Sequence, residues 1–263
     1  MAPDDVKNES NRSHVRSLAR GLDTLKALGT VTDGATLSDI AAIVDLDRAT
    51  TRRFLLTLCD LGYVRQSKKR FYMAPKVLEL GYAYFSTMSK WDAIQPILNE
   101  FCDQTLGTIS IGVQDSDEVI YVARAQSHRS VYAINVTVGS RFPIYSSSIG
   151  RIILSGRSDE DLRHYLSTLD LIKRTPHTVT DIDDFMAGIA TIREQGYSIS
   201  DQETELGVRS IAIPIHGPNG TVIAGLNSSV ATTFATVEDL ISKFLPLLHE
   251  AVQQIQPAMQ IDK

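Results

Sequence analysis

Three arginines, Arg48, Arg52 and Arg53, crowd the short segment "DRATTRRFLLTLCDLGYV", and Lys68, Lys69 and Arg70 follow close behind. The window 48–70 holds seven basic residues and one acid, Asp60, in a chain that is acidic as a whole, with 26 Lys and Arg against 31 Asp and Glu. A cationic patch on an acidic chain marks a dedicated anion-binding module rather than a generally adhesive surface. Guanidinium groups suit duplex DNA in two ways: as charge against phosphate, and as a two-pronged donor to guanine in the major groove. Arg48 and Arg52 lie four apart, so on a helix they share a face. They are the candidates for base contact, with Ala49 beside them. Thr50 and Arg53 are assigned to phosphates, Lys68, Lys69 and Arg70 to a neighbouring backbone or minor groove, and Arg16 and Arg20 to further phosphates. The same charges would also suit a solvated helix face. The order of elements around them separates the two readings.

A second group of residues could hold a small anion. "SRFPIYSSSIG" carries Arg141, whose fork matches a carboxylate, and three serines, Ser146, Ser147 and Ser148, ahead of a helical run. Hydroxyls and first-turn amides at a helix start favour negative charge. Ser210 lies on the first strand of a predicted hairpin. Asn227 and Ser229 lie on its second strand, where alternation puts them on one face. Each group has a structural alternative: the serines as helix caps, Arg141 paired with Glu203 or Glu205, Asn227 and Ser229 on an exposed sheet edge, Tyr145 as core. Beside the apolar Phe142, Pro143 and Ile144, these polar groups have the composition of a pocket for a small carboxylate such as a hydroxybenzoate or a short oxo-acid.

The elements that position these groups follow from periodicity and punctuation. Leu18, Leu22, Leu25 and Leu28 recur at helical spacing up to Gly29, and "VTDGAT" reads as loop. Leu37, Ile40, Ala41 and Val44 predict a short second helix, and "DLD" a tight turn. Asp47 is placed to cap a third helix. Its expected buried stripe is Phe54, Leu55, Leu58 and Leu61, and Gly62 stops it. "YVRQS" and "RFYMA" predict two strands around Lys68-Lys69. Helix, tight turn, capped basic helix, glycine and basic hairpin form a winged helix-turn-helix, whose second helix enters the major groove.

Pro75–Met88 predicts a connecting helix, on which Tyr82, Tyr84 and Phe85 offer an apolar surface either to a second copy or to the chain itself. Beyond it the pattern turns α+β. A helix from Trp91 precedes two strands in "TISIGVQDSDEVIYVARAQ" and a strand-like "SVYAINVTVGS". Helices follow in "SSSIGRIILSG", "SDEDLRHYLS" and "DIDDFMAGIATIREQG", then a hairpin about Gly-Pro-Asn-Gly, then a closing helix capped by Thr236. The predicted division is a polar disordered tail over 1–13, a winged module over 14–77, a linker helix over 78–89 and a larger domain over 90–258.

Composition excludes several classes. Hydrophobic content of 43% and charged content of 22% are those of a soluble globular protein. No apolar run approaches the roughly 20 residues that span a bilayer, and the polar start lacks the core of a signal peptide. Cys59 and Cys102 fit no metal spacing, so neither metal nor cofactor is predicted. Serine hydrolysis would need a base and an orienting group beside Ser146–Ser148. The G-x-S-x-G turn, H-E-x-x-H and a glycine phosphate loop are missing; of the candidate bases His128, His164, His177 and His216, the last three read as surface residues. No catalytic residue is assigned. A hydrolase and a sensor without DNA binding stand as alternatives, the basic helix counting against the second.

"LSDIAAIVDLDRATTRRFLLTLCDLGYV", "VGSRFPIYSSSIGRIIL" and "REQGYSISDQETELGVRSIAIPI" occur in that order, and through them the chain resembles the IclR family of bacterial transcriptional regulators. The resemblance implies an N-terminal winged helix-turn-helix, a linker helix and a C-terminal effector-binding domain of GAF-like fold. It also implies dimers through the DNA-binding domains and often a dimer of dimers. Two winged modules suit the half-sites of a palindromic operator, and Cys59 and Cys102, read as free, buried thiols, suit a cytoplasmic protein. The resemblance implies that Ile144, Ser210, Asn227 and Ser229 line the effector cavity, with Ser200 and Asp201 near it. "AINVTVGSRFPIYSSSIGRI" is similar to the subgroup controlling protocatechuate, 4-hydroxybenzoate and β-ketoadipate catabolism, which points to an effector of that class. The sequence departs from the family where Arg52 replaces a frequent aromatic or histidine and Thr51 a frequent aliphatic, so the family's operators do not transfer to it directly.

Overall fold

The computed structural model describes residues 15–86, 90–105, 107–127 and 136–259. The chain divides into two compact units, Met1–Met88 and Ser89–Lys263. The predicted tail over 1–13 lies outside the described residues, as does most of the strand expected in "SVYAINVTVGS".

The first unit holds α1 (Arg16–Gly29), β1 (Ala35–Thr36), α2 (Leu37–Ile43), α3 (Arg48–Asp60), β2 (Val64–Ser67) and β3 (Arg70–Met73). Thr36 and Asp39 cap α2 reciprocally, each satisfying an amide that the helix leaves open. Asp47 accepts from the Thr50 amide at 2.9 Å and starts α3. The hydrogen bonds from Thr50 hold its carboxyl below the usual range. Leu25, Leu28, Ile40, Leu55, Leu58, Val64 and Phe71 form the core.

Two expectations need correction here. The buried stripe of α3 is Thr51, Leu55 and Leu58, at the spacing of one helical face. Phe54 is half-buried, and Leu61, past the last turn, is 53% exposed. "VTDGAT" is also not wholly loop: Ala35 and Thr36 pair with Phe71 and Arg70, giving a sheet in the order β1-β3-β2. A two-residue strand is too short to show a period of two. A 3₁₀ turn, Pro75–Val77, then leads into α4 (Leu78–Ser86).

The second unit is built on a six-stranded antiparallel sheet of order β6-β5-β4-β9-β8-β7. Its strands are β4 (Thr108–Asp115), β5 (Glu118–Gln126), β6 (Arg141–Pro143), β7 (Ser198–Asp201), β8 (Val208–His216) and β9 (Val222–Ala231). The Gly-Pro-Asn-Gly hairpin joins β8 to β9 as predicted, whereas the short edge strands β6 and β7 had no signal in the sequence. One face carries α6 (Ser148–Ser155), packed on β4, β7, β8 and β9, with α7 (Asp159–Thr168) and α8 (Ile182–Gln195) outside it. The other face carries α5 (Lys90–Thr105) and α9, which runs from Val237–Asp239 through a π turn, Leu240–Phe244, into Leu245–Met259. Both elements are helical where apolar stripes predicted helices, and Thr236 caps α9 through a reciprocal pair with Asp239.

Glycine brings α6 down onto the sheet. A side chain at Gly112 would meet Ile149 of α6 and Val119 of β5, and one at Gly150 would collide with the Ile144 carbonyl. The core beneath α6 includes Val119, Tyr121, Ile144, Ile149, Ile152, Phe185 and Ile189.

Candidate functional site

The first unit presents the predicted cations to solvent. Arg48, Ala49, Arg52 and Arg53 are exposed on α3, and Thr50, half-buried, is tied to the Asp47 cap. Among the described residues no carboxylate pairs with Arg48, Arg52 or Arg53. Lys68 and Lys69 form the exposed tip between β2 and β3, where Lys68 takes a left-handed backbone (φ 53°). Arg70 is already engaged: its guanidinium donates to the Gly34 carbonyl at 2.8 Å, tying the hairpin to the loop before β1. Arg16 and Arg20 are exposed on α1. Arg65, not singled out from the sequence, joins this set on β2, stacked 4.3 Å from the Tyr72 ring centroid.

In the second unit the strand register assembles a polar floor beneath the start of α6. Residues opposite each other in an antiparallel pair share a face. One row runs Ser200, Ser210, Ser229, Thr108. The next runs Ser198, Ala212, Asn227, Ser110, Arg124. Arg124 reaches this face because the β4–β5 register shifts between Ile111 and Gly112. The extra residue, Val122, is a bulge that re-aims the strand, so Tyr121 and Arg124 point the same way. Strict alternation would set them on opposite faces, and so sequence reasoning passed Arg124 by. Thr108, Tyr121, Arg124, Ser148, Ser210 and Ser229 line a cavity between this floor and α6.

The predicted effector residues divide. Ser148 and Ser210 hydrogen-bond across the cavity wall, Oγ to Oγ, at 2.8 Å. Asn227 donates to Ser229 Oγ at 3.2 Å and to the Tyr121 hydroxyl at 3.4 Å. Both lie on a central strand, which removes the alternative of an exposed edge. Ser147 lines the cavity and also caps α6 through the Gly150 amide at 3.0 Å. Ser146 is buried behind it, its carbonyl accepting from Ser200 and Thr204. Ile144 is fully buried in the core under α6. Tyr145 is core too, its hydroxyl donating to the Ile172 carbonyl.

Two predicted residues point elsewhere. Asp201 is held by both arms of Arg209 at 2.9 Å. Arg141 lies on β6 at the sheet edge and binds Glu118 and Asp115, which raise its pKa. It does not line the cavity, and it pairs with neither Glu203 nor Glu205. Glu203 belongs instead to Arg151 of α6, as a two-pronged, largely buried pair. His164 and His177 are exposed, and among the described residues no histidine reaches Ser146–Ser148.

The profile of the IclR helix-turn-helix domain matches residues 17–68, and that of the bacterial transcriptional regulator IclR C-terminal domain matches residues 82–257. The chain belongs to the IclR family. It is 35% identical to the Pca regulon regulatory protein of Pseudomonas putida, over 97% of this chain and 90% of that one. A protein of known structure from Rhodococcus sp. RHA1 is 38% identical, with a TM-score of 0.80 over 94% of this chain and 98% of that one. The inducer-binding domain of the PobR transcription factor from Acinetobacter, solved as a double mutant with 3-hydroxybenzoic acid, is 32% identical, with a TM-score of 0.60 over 63% of this chain and 97% of that one. This IclR-family chain is therefore a DNA-binding transcriptional regulator, with a helix-turn-helix unit and an α+β second unit of the family's C-terminal, GAF-like kind. Its relatives are regulators rather than enzymes. Among the described residues no helix is long and apolar enough to cross a membrane.

Proposed function

We propose that this regulator binds a palindromic operator as a cytoplasmic homo-oligomer, and that a small aromatic carboxylate of the hydroxybenzoate class, held under α6, sets its operator affinity. The observation that carries the reading is the cavity itself: Thr108, Ser210, Ser229 and Arg124 of the sheet, walled by Tyr121, Val136 and Phe142, with Glu205 at its margin and the Ser148–Ser210 pair beside it. A slot with apolar walls and a few convergent hydroxyls suits a small hydroxylated acid. The complex of the PobR domain with 3-hydroxybenzoic acid supports the same class.

On the DNA side, α3 enters the major groove with Arg48 and Arg52 toward base edges, and Thr50 and Arg53 toward phosphates. The Lys68–Lys69 tip, with Arg16 and Arg20 on α1, holds the flanking backbone. Two such modules reading successive half-sites account for a palindrome. The effector changes the preferred spacing of the modules through the linker helix over 78–89. It can do so only by binding one arrangement more tightly than the other.

Calorimetric titration with 4-hydroxybenzoate, protocatechuate, β-ketoadipate and pyruvate tests the effector. Saturable heat with a hydroxybenzoate supports the reading, and no heat with any of the acids refutes it.

A further inference from the structure

We propose that Arg124 is the carboxylate anchor of the effector cavity. This rests on the effector reading above and goes beyond it by naming the group that selects an acid.

Among the described residues that line the cavity, Arg124 is the only cation. It is half-buried, and no carboxylate pairs with it among the described residues; its one side-chain hydrogen bond there is a long one to Gln126, at 3.3 Å. Other arginines of this unit are spoken for: Arg151 by Glu203, Arg157 by the Tyr165 ring, Arg193 by Asp159 and Arg209 by Asp201. Burial works against the charged form of Arg124, yet a guanidinium cannot shed its proton in a protein. An anion arriving from solution relieves that cost, and the fork geometry favours a carboxylate.

The floor beside Arg124 gives a second, independent sign. Ser110 faces Arg124 in the β4–β5 pair, and Asn227 faces Ser110 in the β4–β9 pair. Both are buried, at 0% and 2% exposure. Ser110 Oγ and Asn227 Oδ1 have no hydrogen-bond partner among the described residues. Buried polar atoms are normally satisfied, and exceptions mark sites. At the α6 end the hydroxyls of Ser148 and Ser210 already satisfy each other; Ser198 Oγ, at the far end of the same row as Asn227, is unmet as well, and so is Ser228 Oγ on the opposite face of the sheet. Ser110 is a donor without an acceptor and Asn227 Oδ1 an acceptor without a donor. A hydroxy acid carries both counterparts.

The test is calorimetry on the full-length protein with 4-hydroxybenzoate and its neutral isostere, 4-hydroxybenzamide. Wild type should prefer the acid by about 30-fold or more, the lower end of what truncating a desolvated charge pair costs. Arg124→Gln should lose most of that preference by weakening the acid and sparing the amide. Arg124→Lys, which keeps charge but not the fork, should fall between. Equal affinity of wild type and Arg124→Gln for the acid, or of wild type for acid and amide, overturns the anchor and leaves the effector reading standing. Failure of wild type to bind any of the acids overturns both. If Arg124→Gln melts before the titration can be run, the acid–amide comparison on wild type decides alone.

Discussion

Arg52 and Arg141 carry the same side chain and read alike in the sequence, yet only one is open to a partner. Arg52 projects from α3 with no carboxylate beside it among the described residues, whereas Arg141 is consumed by Asp115 and Glu118. Arg52→Ala should therefore weaken operator binding by about 1–3 kcal/mol if the residue reads a base, measured by fluorescence anisotropy on a duplex selected by the protein. Equal weakening on random DNA would reassign it to phosphate. On the effector side, Asn227→Ala removes the donor to Ser229 and Tyr121 and should impair the effector response, with DNA affinity in the absence of effector as the readout that exposes misfolding. Asn227 stands beside the cavity without lining it, but the lining serines were legible, from a triple serine at a helix start and from the pattern of a hairpin. The cation was not, because its place depends on one bulged residue, Val122, that no alternation pattern reveals.

At the scale of elements, legibility followed length. Helices with a cap and an apolar stripe, such as α3 and α8, stand where periodicity put them, since a helix of ten or more residues carries several turns of signal. The two- to four-residue strands β1, β6 and β7 exist because a neighbouring strand pairs with them, which is a long-range fact. The stripe of α3 was displaced for a similar reason: Leu61 is apolar but lies past the turn that faces the core. Leu55 is fully buried there, so Leu55→Ala should cost about 2–5 kcal/mol, read as a lower denaturant midpoint for the first unit's transition. In the second unit, Gly150→Val would drive α6 off the Ile144 carbonyl. It should lower the melting temperature and abolish effector heat together. An unchanged melt would show that α6 does not need its close approach to the sheet.

For the molecule as a whole, the proposed function divides a switch between two units: one presents free cations to DNA, and the other holds a polar cavity that would take a metabolite. Phosphate neutralisation by the first unit predicts a steep fall of operator affinity with rising salt. A flat salt profile would argue against the cationic face of α3 as the contact surface. Family resemblance pointed to this division from three short motifs, but the effector and the operator depend on side-chain placement that motifs do not carry. Effector control as proposed requires a coupling free energy between the two binding events, and thermodynamic linkage makes any such coupling reciprocal. The most direct test is operator affinity measured by anisotropy at zero and at saturating 4-hydroxybenzoate, paired with calorimetry of the effector on free and operator-bound protein. The account predicts a change of about 5- to 150-fold in operator affinity, matched by the same factor in effector affinity. An effector that binds while operator affinity stays constant would contradict it.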